Sequence, residues 1–115
     1  MPIDPEILLK KELDEVEGSW TEERVILYNI AVGSSEDPLN KSDLEFTVGS
    51  NPKVIPSFAA CIYPMESVFS IIGSEGLEVS LTSLLHGEQK ITIHKDIPSS
   101  GTAVTKATIT AVEDY

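Results

Sequence analysis

The final third of the chain repeats every two residues, and that period constrains the fold more than any other feature. Between Leu85 and Lys95, the residues Leu85, Gly87, Gln89, Ile91, Ile93 and Lys95 fall on one side. His86, Glu88, Lys90, Thr92 and His94 fall on the other. "DIPSSGT" then reads as a turn, and "AVTKATITAV" follows with β-branched residues at 104, 105, 108, 109, 110 and 112. The pattern predicts two long antiparallel strands near the end of the chain.

The preceding part follows a helical period. "EGSWTEERVILYNIAVGSS" places Ser19 three residues before Glu22, the spacing of a capping box, with Thr21 as a second candidate cap. Glu22 and Glu23 suit a helix N-terminus, and Gly33 suits its stop. Val25, Ile26, Leu27, Tyr28, Ile30, Ala31 and Val32 are apolar on nearly every side, so this helix is expected to be buried or pressed between two surfaces. "SSEDPLNKSDLEFTVGSNPK" is a polar, turn-rich stretch with a short strand-like "LEFTV". "VIPSFAACIYPMESVFSIIGSEG" reads as a second helix, entered at Pro56, disturbed near Pro64 and ended near Gly73. The fold class is α+β, in one domain of 115 residues.

Nineteen acids against eight bases give a net charge of −11, which argues against nucleic acid and against anionic membrane surfaces as partners. The longest apolar window, residues 54–72, contains Pro56, Pro64 and Glu66 and is too broken to span a bilayer. No signal peptide is evident at the start, and the expected setting is soluble and intracellular. The single cysteine, Cys61, excludes an internal disulfide and reads as a small core residue. Two histidines eight apart with that one cysteine do not make a zinc site. The glycines match no phosphate-binding fingerprint. Ser83 and His86 lie three apart and would point to opposite faces of a strand, which argues against a nucleophile pair.

Four stretches, in order, resemble the N-terminal half of the enoyl-CoA hydratase 2 family, the MaoC-like (R)-specific hydratases. They are the aromatic residue before a Thr-Glu helix start, "ILYNIAVG", "IPSF" and "LLHGEQ". The resemblance covers nearly the whole chain. It implies a hot-dog fold, an antiparallel sheet around a central helix. It also implies a role in reversible hydration of trans-2-enoyl-CoA to (3R)-3-hydroxyacyl-CoA. In that family the chemistry belongs to the C-terminal half, in a motif resembling Gly-Asp-x-Asn-Pro-(apolar)-His. Neither histidine of this chain has an Asp five residues before it: Leu81 precedes His86 and Gln89 precedes His94 at that distance. No catalytic residue is therefore assigned, and this chain alone is expected to be inactive.

Carried over by the resemblance, His86 and Gly87 match a His-Gly pair that contacts substrate. The glycine would let a ligand approach the backbone, and the histidine would donate a hydrogen bond. Phe58, Ile62 and Met65 are candidate pocket lining. His94 reads as an exposed strand residue, and Tyr115 stands where the family tends to place a ligand-contacting lysine. No cofactor or metal is implied; acyl-CoA is the ligand. Peroxisomal placement is open in a eukaryote, although the chain ends in Glu-Asp-Tyr rather than a peroxisomal tripeptide.

In the family two more strands follow the position of "TAVED". Without them, neighbouring strands would present rows of unpaired N–H and C=O groups. The sheet is accordingly expected to be completed by another polypeptide, either a complementary catalytic hot-dog chain or a second copy of this one; that the chain is a fragment of a longer product is an equally economical expectation. The competing expectation is a stand-alone hot-dog binding or structural module without activity. The missing Asp–His pair favours the second reading, and "LLHGEQ" favours the first.

Overall fold

The computed structural model describes residues 3–34, 36–63 and 69–114, which fold as an α+β chain in two compact units. One unit comprises residues 1–16, 64–89 and 104–115; the other comprises residues 17–63 and 90–103. Each is assembled from separated stretches, so neither can be cut out as a continuous segment.

The first unit is organised by the short helix α1 (Pro5–Leu9). Asp4 caps it, its Oδ1 accepting from the backbone N–H of Glu6 and Ile7 at 3.0 and 3.3 Å, and Pro5 occupies the first helical position. The helix lies against the turn at residues 71–77. The Asp4 N–H donates to the Gly76 carbonyl at 2.8 Å, and Ile3 bridges Leu77. Lys11 Nζ clamps the same turn through Ser74 Oγ (2.8 Å) and the Glu75 carbonyl (2.9 Å). Gly76 has φ +91°, and a Cβ there would stand 2.7 Å from Ile7 Cγ2, so both backbone and space require glycine.

The second unit is built on α2 (Glu22–Ala31). Its C-terminus is a Schellman motif: Ser34 N–H donates to the Asn29 carbonyl and Gly33 N–H to the Ile30 carbonyl, both at 3.1 Å, with Gly33 at φ +82°. The stop expected at Gly33 is therefore the one observed. The start differs. Thr21 is the N-cap, with no side-chain cap hydrogen bond, and no Ser19–Glu22 capping box forms. Glu22 reaches across space instead, accepting from Asn51 N–H at 3.1 Å and Ser99 Oγ at 3.4 Å.

The helix is also not buried on every side. Val25 and Asn29, one turn apart, are fully buried, whereas Leu27 is 68% and Ile30 58% exposed. The buried face joins Trp20 and Phe58, with Tyr28, Val54, Ile62, Ile97 and Ala103 packed against them. Phe58 enters on a 3-10 turn (Pro56–Phe58) leading into α4 (Ala59–Ile62), and its ring meets Tyr28 edge-on at 5.4 Å. Only this first part of the second expected helix falls within the described residues before position 64. A one-turn helix, α3 (Lys41–Leu44), capped by Asn40, leads into a turn at residues 45–47, where "LEFTV" was expected to be a strand.

Two strands, β1 (Val16–Trp20) and β2 (Gly101–Thr105), pair in a two-stranded sheet. At one end the Trp20 ring packs on Gly101, where a Cβ would stand 3.2 Å away. Beyond the other end Lys106 Nζ meets Glu15 at 3.1 Å, so the strands run antiparallel. The expected strand over 103–112 is thus shifted, its assigned part ending at Thr105. The expected strand over 85–95 carries no assigned strand, and residues 81–96 are exposed throughout. A period of two prepares a stretch for pairing, but a ladder also needs a partner. Among the described residues none pairs with it. No described helix is long and apolar enough to cross a membrane.

Candidate functional site

His86 and Gly87 follow a 3-10 turn (Leu81–Ser83) in the first unit. Ser80 sits at the head of that turn, its hydroxyl 2.8 Å from Thr82 Oγ1 and 3.0 Å from Ser83 Oγ. These hydroxyls satisfy one another locally. His86 is exposed and has no hydrogen bond to another described residue, so no base activates them. Nothing stands within 4 Å of the position a Cβ on Gly87 would take. The space beside the backbone there is open. His94 is likewise exposed.

Of the candidate lining residues, Phe58 is completely buried in the core of the second unit and Ile62 packs against that core. They support the structure instead of facing a ligand. Met65 and Tyr115 lie outside the described residues. Cys61 is half-buried, and its carbonyl accepts from Arg24 Nη2 at 2.7 Å. Among the described residues, no group of three or more His, Cys, Asp and Glu side chains is placed to hold a metal.

Each unit contains a concave feature that the sequence pattern does not announce. In the first unit, Ile3, Leu8, Ile71, Leu77, Leu84 and Ile109 line an apolar cleft of about 350 Å³. In the second, residues 51–56 and 93–99 enclose a mixed polar and apolar cleft of about 390 Å³. Its two walls are tied together at the base by a hydrogen bond from Ser99 Oγ to Asn51 Oδ1 (2.9 Å), with Glu22 accepting from both residues. Asn51 holds this position at φ +62°, a left-handed conformation that asparagine tolerates better than most residues. The indole N–H of Trp20 fixes the second wall, donating to the Pro98 carbonyl at 2.8 Å.

Asn29 secures the first wall from beneath. Its Nδ2 donates to the carbonyls of Phe46 and Lys53, both at 2.8 Å, and the Lys53 N–H donates to the Glu45 carbonyl at 2.9 Å. The loop between residues 45 and 53 is thereby closed at its neck. Since only the amide NH₂ can donate to two carbonyls, the partners fix which way Asn29 faces. Its Oδ1 is buried without a hydrogen-bond partner among the described residues.

A small α+β chain with a two-stranded sheet and an exposed His-Gly pair is the class that geometry alone defines. Comparison with known families then places it. Residues 19–115 match the family described as the MFE-2 hydratase 2 N-terminal domain, and the chain belongs to that family. It is 30% identical over 105 residues to a protein of Mycobacterium tuberculosis named enoyl-CoA hydratase ChsH3, covering 90% of this chain and 36% of that protein. A probable enoyl-CoA hydratase 2 of Dictyostelium discoideum is 30% identical over 118 residues, covering 99% of this chain and 38% of that one. The peroxisomal enoyl-CoA hydratase 2 of Arabidopsis thaliana is 25% identical over 114 residues, 95% of this chain and 37% of its own length. The chain therefore spans little more than a third of these relatives. No solved structure matches it.

Proposed function

We propose that this chain is the substrate-binding, non-catalytic N-terminal part of an (R)-specific 2-enoyl-CoA hydratase. The reaction is the reversible hydration of trans-2-enoyl-CoA to (3R)-3-hydroxyacyl-CoA. The observation that carries the reading is the family match over residues 19–115, within which His86 is exposed and the space beside Gly87 is open. In this reading His86 donates a hydrogen bond to the acyl-CoA, and Gly87 lets the ligand lie against the backbone. The Asp and His that activate water belong to the complementary catalytic part, since no Asp precedes either histidine of this chain by five residues.

The same reading assigns a job to the apolar surface left uncovered. Leu27, Ile30 and Leu85 are 68%, 58% and 90% exposed, on a helix face and an unpaired stretch that a wrapped hot-dog sheet would cover. The relatives' greater length supports a catalytic hot-dog part as the completing polypeptide. A second copy of this chain is the alternative completing polypeptide.

A direct test uses the chain paired with a catalytic half bearing the Asp/His motif. His86→Ala is expected to raise KM for crotonyl-CoA about tenfold, from loss of a hydrogen bond to a charged or polarised acceptor. Gly87→Val should act in the same direction by filling the approach to the backbone. Unchanged KM in both variants would remove these residues from the binding site.

A further inference from the structure

We propose that the apolar cleft of the first unit receives an extended, basic segment of a protein partner, added as a strand beside residues 106–112, a docking role separate from hydration chemistry. The cleft holds about 350 Å³, and its lining, Leu8, Ile71, Leu77, Leu84 and Ile109 among it, presents scarcely a polar atom. It is also built before any partner arrives. Asp4 caps α1, and the Asp4 N–H and Lys11 tie that helix to the turn at residues 71–77. A preformed apolar concavity of this size takes a few branched side chains.

One wall indicates the form of the occupant. Residues 101–110 alternate between half-buried and exposed, past the end of β2 at Thr105. That alternation belongs to extended chain. Among the described residues no ladder is assigned to 106–114, yet Ile109, Ala111 and Val112 line the cleft. A strand laid there would pair with backbone N–H and C=O groups and drop every second side chain into the apolar space. A bare aliphatic ligand would fill the space but pair with none of those groups.

Charge selects the sequence of that strand. Within two residues of a lining position stand six acids, Asp4, Glu6, Glu75, Glu78, Glu113 and Asp114, and one base, Lys10. The whole unit holds three bases (Lys10, Lys11 and Lys106) against eleven acids. Lys11 is held by Ser74 and the Glu75 carbonyl, and Lys106 faces Glu15 at 3.1 Å. A second copy of this chain, itself at −11, is the less suited occupant. A partner segment with apolar residues at alternate positions and Lys or Arg between them meets both the apolar floor and the acidic surround.

The test follows backbone amide shifts and amide exchange of the isotope-labelled full chain as the peptide acetyl-Lys-Val-Lys-Ile-Lys-Val-Lys-amide is added. Its glutamate counterpart and 1-octanol are added separately. The expected result is saturable movement of Leu77, Leu84 and Ile109 with the lysine peptide, and slowed exchange at alternate amides between 107 and 112. Affinity should fall as salt is raised. Glu78→Lys should weaken binding about threefold to fivefold and Ile109→Thr about tenfold. Glu23→Lys, the same charge change in the second unit, should leave it unaltered. Glu78 and Glu23 are both exposed, so this pair of variants keeps the fold and decides the matter without Ile109→Thr. Equal binding of the glutamate peptide would overturn the charge assignment. Movement with 1-octanol alone would make the cleft a small-ligand site and end the docking proposal. Peptide binding with unchanged exchange at 107–112 would overturn strand addition, and no saturable movement with any probe would sink the whole.

Discussion

Replacing Phe58 with alanine is expected to cost about 3–5 kcal/mol. Phe58 is fully buried, its ring meets Tyr28 edge-on, and it shares its surroundings with Val25 and Trp20. Among the described residues three buried apolar side chains, Trp20, Val25 and Phe58, form the core of the second unit. With so few, the neighbours have little means of collapsing into the space left behind. A domain of this size typically has about 5–15 kcal/mol in total, so the variant should be close to unfolding. Thermal melting should show a fall on the order of 12–20 °C. Leu39→Ala, at a position 90% exposed, should shift stability by no more than about 0.5 kcal/mol and serves as the control. A Phe58→Ala loss as small as the control's would contradict the packing described for the second unit.

The second large effect is expected at Asn29. Leucine there would match the size of the amide but leave the Phe46 and Lys53 carbonyls without their donor, at a cost of about 2–4 kcal/mol for the two together. Aspartate should be worse. It keeps the shape but brings a buried negative charge against two carbonyl oxygens, with no N–H to offer. Chemical denaturation of both variants orders them: wild type, then Leu, then Asp. A reversed order of Leu and Asp would mean that Asn29 acts by filling space and not by donating. The loop between residues 45 and 53 is the part that should loosen first, because Asn29 closes its neck.

How much of this was legible in advance depended on whether a signal was local. The Thr-Glu start and Gly33 stop of α2 act through adjacent backbone groups, and the helix begins and ends there. The role of Glu22 was misread for the opposite reason. A nearby backbone N–H and a distant one, that of Asn51, compete for the same carboxylate, and spacing along the chain describes only the first. The alternating stretch from Leu85 to Lys95 states which side chains would share a face, but pairing depends on a neighbour that the period does not encode. The apolar breadth of α2 has the same origin: Leu27 and Ile30 are apolar yet exposed where no described element covers them.

The candidate site divides along similar lines. His86 and Gly87 belong to a local motif and lie on an exposed stretch. The polar cleft brings Asn51 and Lys53 against Asp96 and Ser99, more than forty positions away along the chain, through hydrogen bonds of loops. No periodicity announces such a meeting. Phe58 and Ile62 looked like pocket lining because apolar residues line pockets and cores alike; their neighbours, which decide between the two, come from other segments.

The most direct measurement of the central claim is a hydration assay with crotonyl-CoA. It compares this chain alone, a catalytic half carrying the Gly-Asp-x-Asn-Pro-(apolar)-His motif alone, and the two co-expressed. The account predicts no turnover by this chain and formation of (3R)-3-hydroxybutyryl-CoA by the co-purified pair. Turnover by this chain alone would contradict it. So would a pair that co-purifies, folds and still leaves crotonyl-CoA unhydrated.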